Sequence, residues 1–80
     1  MLRPEALLSY VRAQQFRPFR IVMNSGRAYE VRHPEMIRVG RDFFNFYYAS
    51  PPDDPADKWD TVSLVLIDHV EHIHQAAQGA

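Results

Sequence analysis

The side chains with most chemical reach in this 80-residue chain fall into three groups. Near its end, His69, His72 and His74 carry imidazole nitrogens able to ligate zinc or nickel, with Asp68 and Glu71 as neighbouring oxygen donors. On a strand His72 and His74 share a face, yet two ligands spaced two apart need a third from elsewhere. The three histidines are the candidates, but the reading is exposed side chains and no bound metal. The second group is Arg17, Arg20, Arg32, Arg38 and Arg41, whose guanidinium forks match carboxylates and phosphates equally well. The third is Asp53, Asp54 and Asp57, close together but set among prolines, where nothing would hold them for acid–base work. His33, before Pro34 and near Glu35, reads as a side chain whose hydrogen bond fixes a turn.

Other chemistry is excluded. Without cysteine there is no disulfide, thiolate zinc site or cysteine nucleophile, which suits a reducing cytosol. There is no glycine-rich phosphate loop, no nucleophile elbow and no carboxylate pair on one rigid face, so no catalytic residue, enzyme activity or cofactor is expected. No basic region followed by an apolar core opens the chain, and no run approaches the roughly 18 apolar residues of a membrane span. The expectation is a cytoplasmic chain with no membrane contact. The net charge of −1 hides an asymmetry: residues 1–41 carry eight arginines against three acids, a balance of +5, and residues 42–80 carry Lys58 against seven acids, a balance of −6. In a small domain such halves pair with each other more readily than they recruit a polyanion.

The elements that must position these groups are organised around Phe16 to Val31, two apolar-alternating segments joined by Asn24-Ser25-Gly26. A two-residue turn at Ser25-Gly26 would oppose Ile21 with Glu30 and Arg20 with Val31, mixing charge and apolar surface on both faces. A three-residue turn pairs Val22 with Ala28, Ile21 with Tyr29, Arg20 with Glu30 and Phe19 with Val31, which sorts the faces and selects the register. Gly26 then takes the positive φ that such loops end on. Before the hairpin, Pro4 and Glu5 suit the first turn of a helix over about 4–15, with Leu7, Tyr10, Val11 and Gln14 on one stripe. The strands are expected at about 18–24, 27–33, 36–39, 43–49, 59–67 and 70–74, the short third piece being separate if the strand ends at His33 and continuous with its neighbour if it only bends there. Asp68-His69 is the expected turn between the last two.

The segment FFNFYYA, residues 43–49, is aromatic on both faces: Phe44, Phe46 and Tyr48 on one, Phe43 and Tyr47 around Asn45 on the other. A half-exposed strand alternates with polar residues, so this one is either central in a closed barrel or covered by another molecule. Residues 50–58, SPPDDPADK, form a loop by composition. The chain is thus one α+β domain over 1–80, an N-terminal helix followed by a strongly bent antiparallel sheet or barrel of about five strands of the SH3 or Sm type. An open helix-on-sheet α+β domain is the alternative.

Phe16-Arg17-Pro18-Phe19, Gly26, Tyr29, Val31, His33-Pro34-Glu35 and the late apolar run Val62 to Ile67 resemble the pattern of a group of small bacterial proteins that carries no assigned activity. The helix-then-barrel order is also similar to Sm and Hfq proteins, a resemblance that implies ring-forming RNA binding. Their RNA motifs are absent: the corresponding turns read Arg41-Asp42-Phe43 and Asp68-His69-Val70. Two functions follow. The favoured one is a non-catalytic protein-interaction module that self-associates, most simply as a twofold dimer, with Phe43, Phe44, Phe46, Tyr47 and Tyr48 as interface candidates; an unidentified protein partner would use the same strand. The alternative is an Sm/Hfq-like nucleic-acid binder whose face is Arg17, Arg20, Arg32, Arg38 and Arg41, with Tyr47 or Tyr48 stacking on bases. Near-neutral charge, a pI near 6.4 and an acidic loop disfavour it.

Overall fold

The computed structural model describes residues 2–48 and 58–73. Helix α1 spans Pro4–Val11, with Pro4 in its first turn, where no N–H is needed, and Glu5 complementing the dipole. It stops short of Gln15. Residues Ala13 to Gln15 are exposed and bury nothing, and the chain must reverse through Arg17-Pro18 so that Phe16 and Phe19 can meet, with ring centroids 5.9 Å apart. Leu7 is the fully buried residue of the helix, and Tyr10 packs its ring 5.2 Å from that of Phe19.

Six strands follow in two antiparallel sheets: β1 Phe19–Met23, β2 Ala28–Val31, β3 Ile37–Val39, β4 Phe43–Tyr47, β5 Trp59–Ser63 and β6 Ile67–His72. The first sheet has the order β2-β1-β6 and the second β3-β4-β5. The hairpin has the register its side-chain pattern demands, Phe19 to Val31, Arg20 to Glu30, Ile21 to Tyr29 and Val22 to Ala28. Gly26 has φ +95° and donates to the Met23 carbonyl at 2.9 Å, closing the three-residue turn. The β3–β4 turn is tighter still: Gly40 N–H meets the Phe43 carbonyl at 2.7 Å, and a Cβ at Gly40 would sit 3.1 Å from that same oxygen.

The sheets do not close into a barrel. Each time the chain passes from one sheet to the other it breaks its ladder with a 3₁₀ turn, Pro34–Met36 between β2 and β3 and Leu64–Leu66 between β5 and β6. Proline explains the first break, since it has no N–H for a ladder. The second break divides the run expected as one strand over 59–67. Leu64 and Ile67 are both buried, and one 3₁₀ turn brings residues three apart onto the same side. Val65 and Leu66 are turned outward, 55% and 52% exposed. Asp68 and His69, expected as the last turn, lie inside β6, where the register slips between Val22 and Met23 to accommodate the extra residue.

The core between the sheets and under α1 contains Phe19, Ile21 and Val31 from the first sheet, Ile37, Phe44 and Phe46 from the second, and Leu7 from the helix. Among the described residues no helix is long and apolar enough to cross a membrane.

Candidate interface on the second sheet

Strand alternation distributes the aromatic run. Phe44 and Phe46 point inward and are buried, so these two interface candidates belong to the core. Phe43, Asn45 and Tyr47 point outward, opposite Ser63, Thr61 and Trp59 of β5, with Arg38 of β3 opposite Asn45. This outer face leaves Phe43 44% and Trp59 54% exposed. The Tyr47 and Trp59 rings lie 6.2 Å apart, and between the aromatic ends of the face the Thr61 hydroxyl donates to Asn45 Oδ1 at 2.7 Å. Trp59 was not among the residues read as interface candidates. The signal was available in the alternation W-T-S against D-V, which places Trp59, Thr61 and Ser63 on one side.

Tyr48, the fifth aromatic candidate, serves the rim of the core. Its ring stacks edge-on against Phe46 at 5.0 Å, and its hydroxyl donates to Asp60 Oδ2 at 2.6 Å. The same carboxylate accepts from the Tyr29 hydroxyl at 3.2 Å and pairs with Arg27 at 3.0 Å, while Arg27 also donates to the Tyr48 hydroxyl at 2.7 Å. Tyr29 belongs to the first sheet and Asp60 to the second, so this cluster ties the sheets together. The Tyr48 hydroxyl, then that of Tyr29 and the Arg27 charge, hold the Asp60 carboxyl below its ordinary range. In return Tyr48 is raised chiefly by its bond to Asp60, and Tyr29 chiefly by burial.

The five arginines do not share one face. Arg20, on the outer face of the first sheet, bridges Glu30 at 3.1 Å and Glu71 at 2.9 Å, and Arg32 pairs with Glu30 at 2.9 Å. The expectation that Arg20 pairs with Glu30 across the hairpin holds, and Arg32 also uses Glu30, two residues away, rather than Glu35. Glu71 continues the ladder to His69 at 3.0 Å, whose other nitrogen meets Asp68 at 2.6 Å. Those bonds raise the His69 pKa, that to Asp68 most, and lower that of Glu71, the bond to His69 first. Arg17, Arg38 and Arg41 make no ion pair among the described residues, so Glu35 and Asp42, although close in sequence, neutralise neither Arg38 nor Arg41.

The histidines do not converge either. Val70 and His72 lie on the inner side of β6, with the His72 ring 5.1 Å from that of Tyr10, whereas His69 is on the outer side with Glu71. His74, Asp53, Asp54 and Asp57 lie outside the described residues. Among the described residues no three metal-ligating side chains come together. No family model matches this chain, and neither a curated protein nor a solved structure matches it.

Proposed function

We propose that this chain is a non-catalytic protein-interaction module that self-associates through its second sheet. The observation that carries this reading is the outer face with Phe43, Tyr47 and Trp59: three aromatic rings on one side of a three-stranded sheet, two of them close to half exposed or more. Aromatic side chains bury large area at small entropic cost and dominate interface energetics. A chain of this length buries only about 60–65% of its unfolded surface, so covering those rings adds what the isolated domain lacks. Light scattering at micromolar concentration tests the reading: a mass above that of one 9.3 kDa chain supports it, and a monomer defeats it.

One observation favours a second reading, nucleic-acid binding of the Sm/Hfq kind. Arg38 and Arg41 flank the aromatic face without an ion pair among the described residues, and bases stack on exposed rings. The pairing of the last strand with the first also supports kinship with SH3-like and Sm-like folds, and the FRPF and His-Pro-Glu motifs support membership of the small bacterial group they resemble. Against RNA stands the dispersal of the five arginines over both sheets and three connections. Fluorescence anisotropy with labelled single-stranded RNA separates the readings: the interaction module shows no appreciable binding at physiological salt, and tight, salt-sensitive binding lost on Arg38→Glu establishes the RNA binder.

A further inference from the structure

Among the described residues β5 is bonded to β4 on one side only. Two bonds that bracket it set its phase: Tyr48 N–H donates to the Lys58 carbonyl at 2.8 Å, and Leu64 N–H donates to the Asp42 carbonyl at 3.0 Å. Bonded residues recur at every second position of an antiparallel pair. In the register from Tyr47–Trp59 to Phe43–Ser63, Asp60 and Val62 therefore direct their backbone groups to β4. The N–H and C=O groups of Trp59, Thr61 and Ser63 point the other way, along the free edge.

Edges of this kind are usually blunted by brevity, bulges, proline or charge. The other three edges have such protection. β3 has three residues, β2 has four and carries Glu30, and β6 has a register slip together with Asp68, His69 and Glu71. β5 has five residues, no proline, no lysine and no slip. Its one charge, Asp60, is engaged by Arg27, Tyr29 and Tyr48.

We propose that β5 pairs antiparallel with β5 of a second copy about a twofold axis through Thr61, joining the two second sheets in the order β3-β4-β5-β5-β4-β3. This rests on the self-association reading and specifies its contact. The register sets Thr61 opposite Thr61 and Trp59 opposite Ser63, and these are the residues with outward backbone groups, so about six hydrogen bonds form across the axis. Asp60 falls opposite Val62, and no like charges meet. Side-chain size fits as well. One row of the joined face reads Tyr47, Trp59, then Ser63 and Phe43 of the second copy. With strands about 4.8 Å apart, the small Ser63 leaves room for the indole to lie toward Phe43. The pairing thus covers the exposed rings of both copies together.

The absence of cysteine makes a direct test available. With a short thiol-to-thiol cross-linker, Thr61→Cys is expected to give a covalent dimer at a concentration where Ser9→Cys, on the exposed side of α1, gives none. Thr61→Pro removes the central N–H of the free edge and no backbone bond to β4, the side-chain bond to Asn45 being its one loss there, and is expected to weaken association at least about tenfold with the circular dichroism spectrum unchanged. If Thr61→Pro fails to fold, Trp59→Ser supplies the second measurement, with the same weakening expected. A wild-type monomer in light scattering overturns both the self-association reading and the pairing. An oligomer that survives Thr61→Pro or Trp59→Ser, with Thr61→Cys uncross-linked, overturns the pairing and leaves self-association standing.

Discussion

The outer faces of the two sheets are built on opposite terms. On β2-β1-β6, Arg32, Glu30, Arg20, Glu71, His69 and Asp68 form a ladder in which each charge finds an opposite partner within 3.1 Å. On β3-β4-β5 the side chains are Phe43, Tyr47 and Trp59, with Arg38 unpaired among the described residues. The first face is complete within one chain and has little to offer a partner, since exposed pairs already satisfied gain nothing from a new ligand. The second face leaves apolar area in water and an open strand edge. Both sheets contribute alike to one core, so the difference lies wholly in what each presents outward.

The comparison breaks most visibly at neighbouring positions of β4. Phe44→Ala empties a fully buried site and should cost about 3–5 kcal/mol in urea unfolding. Phe43→Ala, one residue away but outward, should cost less than about 1 kcal/mol in a dilute sample while weakening self-association. Equal losses at the two positions would mean that the outer face is a stability element. Gly26→Val tests the hairpin beneath the charged face. A β-branched residue resists φ +95°, and a loss above about 1 kcal/mol is expected, measurable as a lowered midpoint.

A smaller effect separates the arginines. Arg20→Met should lower the melting temperature at low salt, with the gap narrowing as salt is added, because screening weakens the pairs it removes. Arg38→Met should leave the melting temperature unchanged at any salt. The subtlest test is an NMR titration of His69. Its folded pKa is raised by Asp68 and then Glu71, so its protonated form is favoured by folding. The linked stability is present below the ordinary value of about 6.5 and fades as pH rises through the raised one. Glu71→Gln should move the midpoint back down, and an unmoved midpoint would remove Glu71 from the ladder.

Legibility in the sequence followed the strength of local rules. The helix start at Pro4, the hairpin and its ion pair, and the turn after Gly40 were readable because proline, glycine and a period of two act over a few residues. The helix end was not, since nothing between Arg12 and Gln15 marks a stop; Val11 is last because the chain must turn to seat Phe19. The division of residues 59–67 was hidden for another reason: a continuous apolar run looks the same as a buried strand whether or not a 3₁₀ turn interrupts it. Of the candidate site residues, Phe43 and Tyr47 lie on the outer face, Phe44 and Phe46 lie in the core, Tyr48 went to a rim cluster, and Trp59 and Arg27 were missed.

By itself the sequence determined the register of the β1–β2 hairpin. A one-residue slip would exchange an apolar face for a charged one, and Gly26 permits the loop that prevents it. Only the tertiary structure decided which side of FFNFYY is core. Both sides of that strand are aromatic, so local pattern carries no preference. The choice was made by packing against Tyr29, whose ring lies 5.7 Å from Phe44 and 5.1 Å from Phe46, and that left Phe43 and Tyr47 outside.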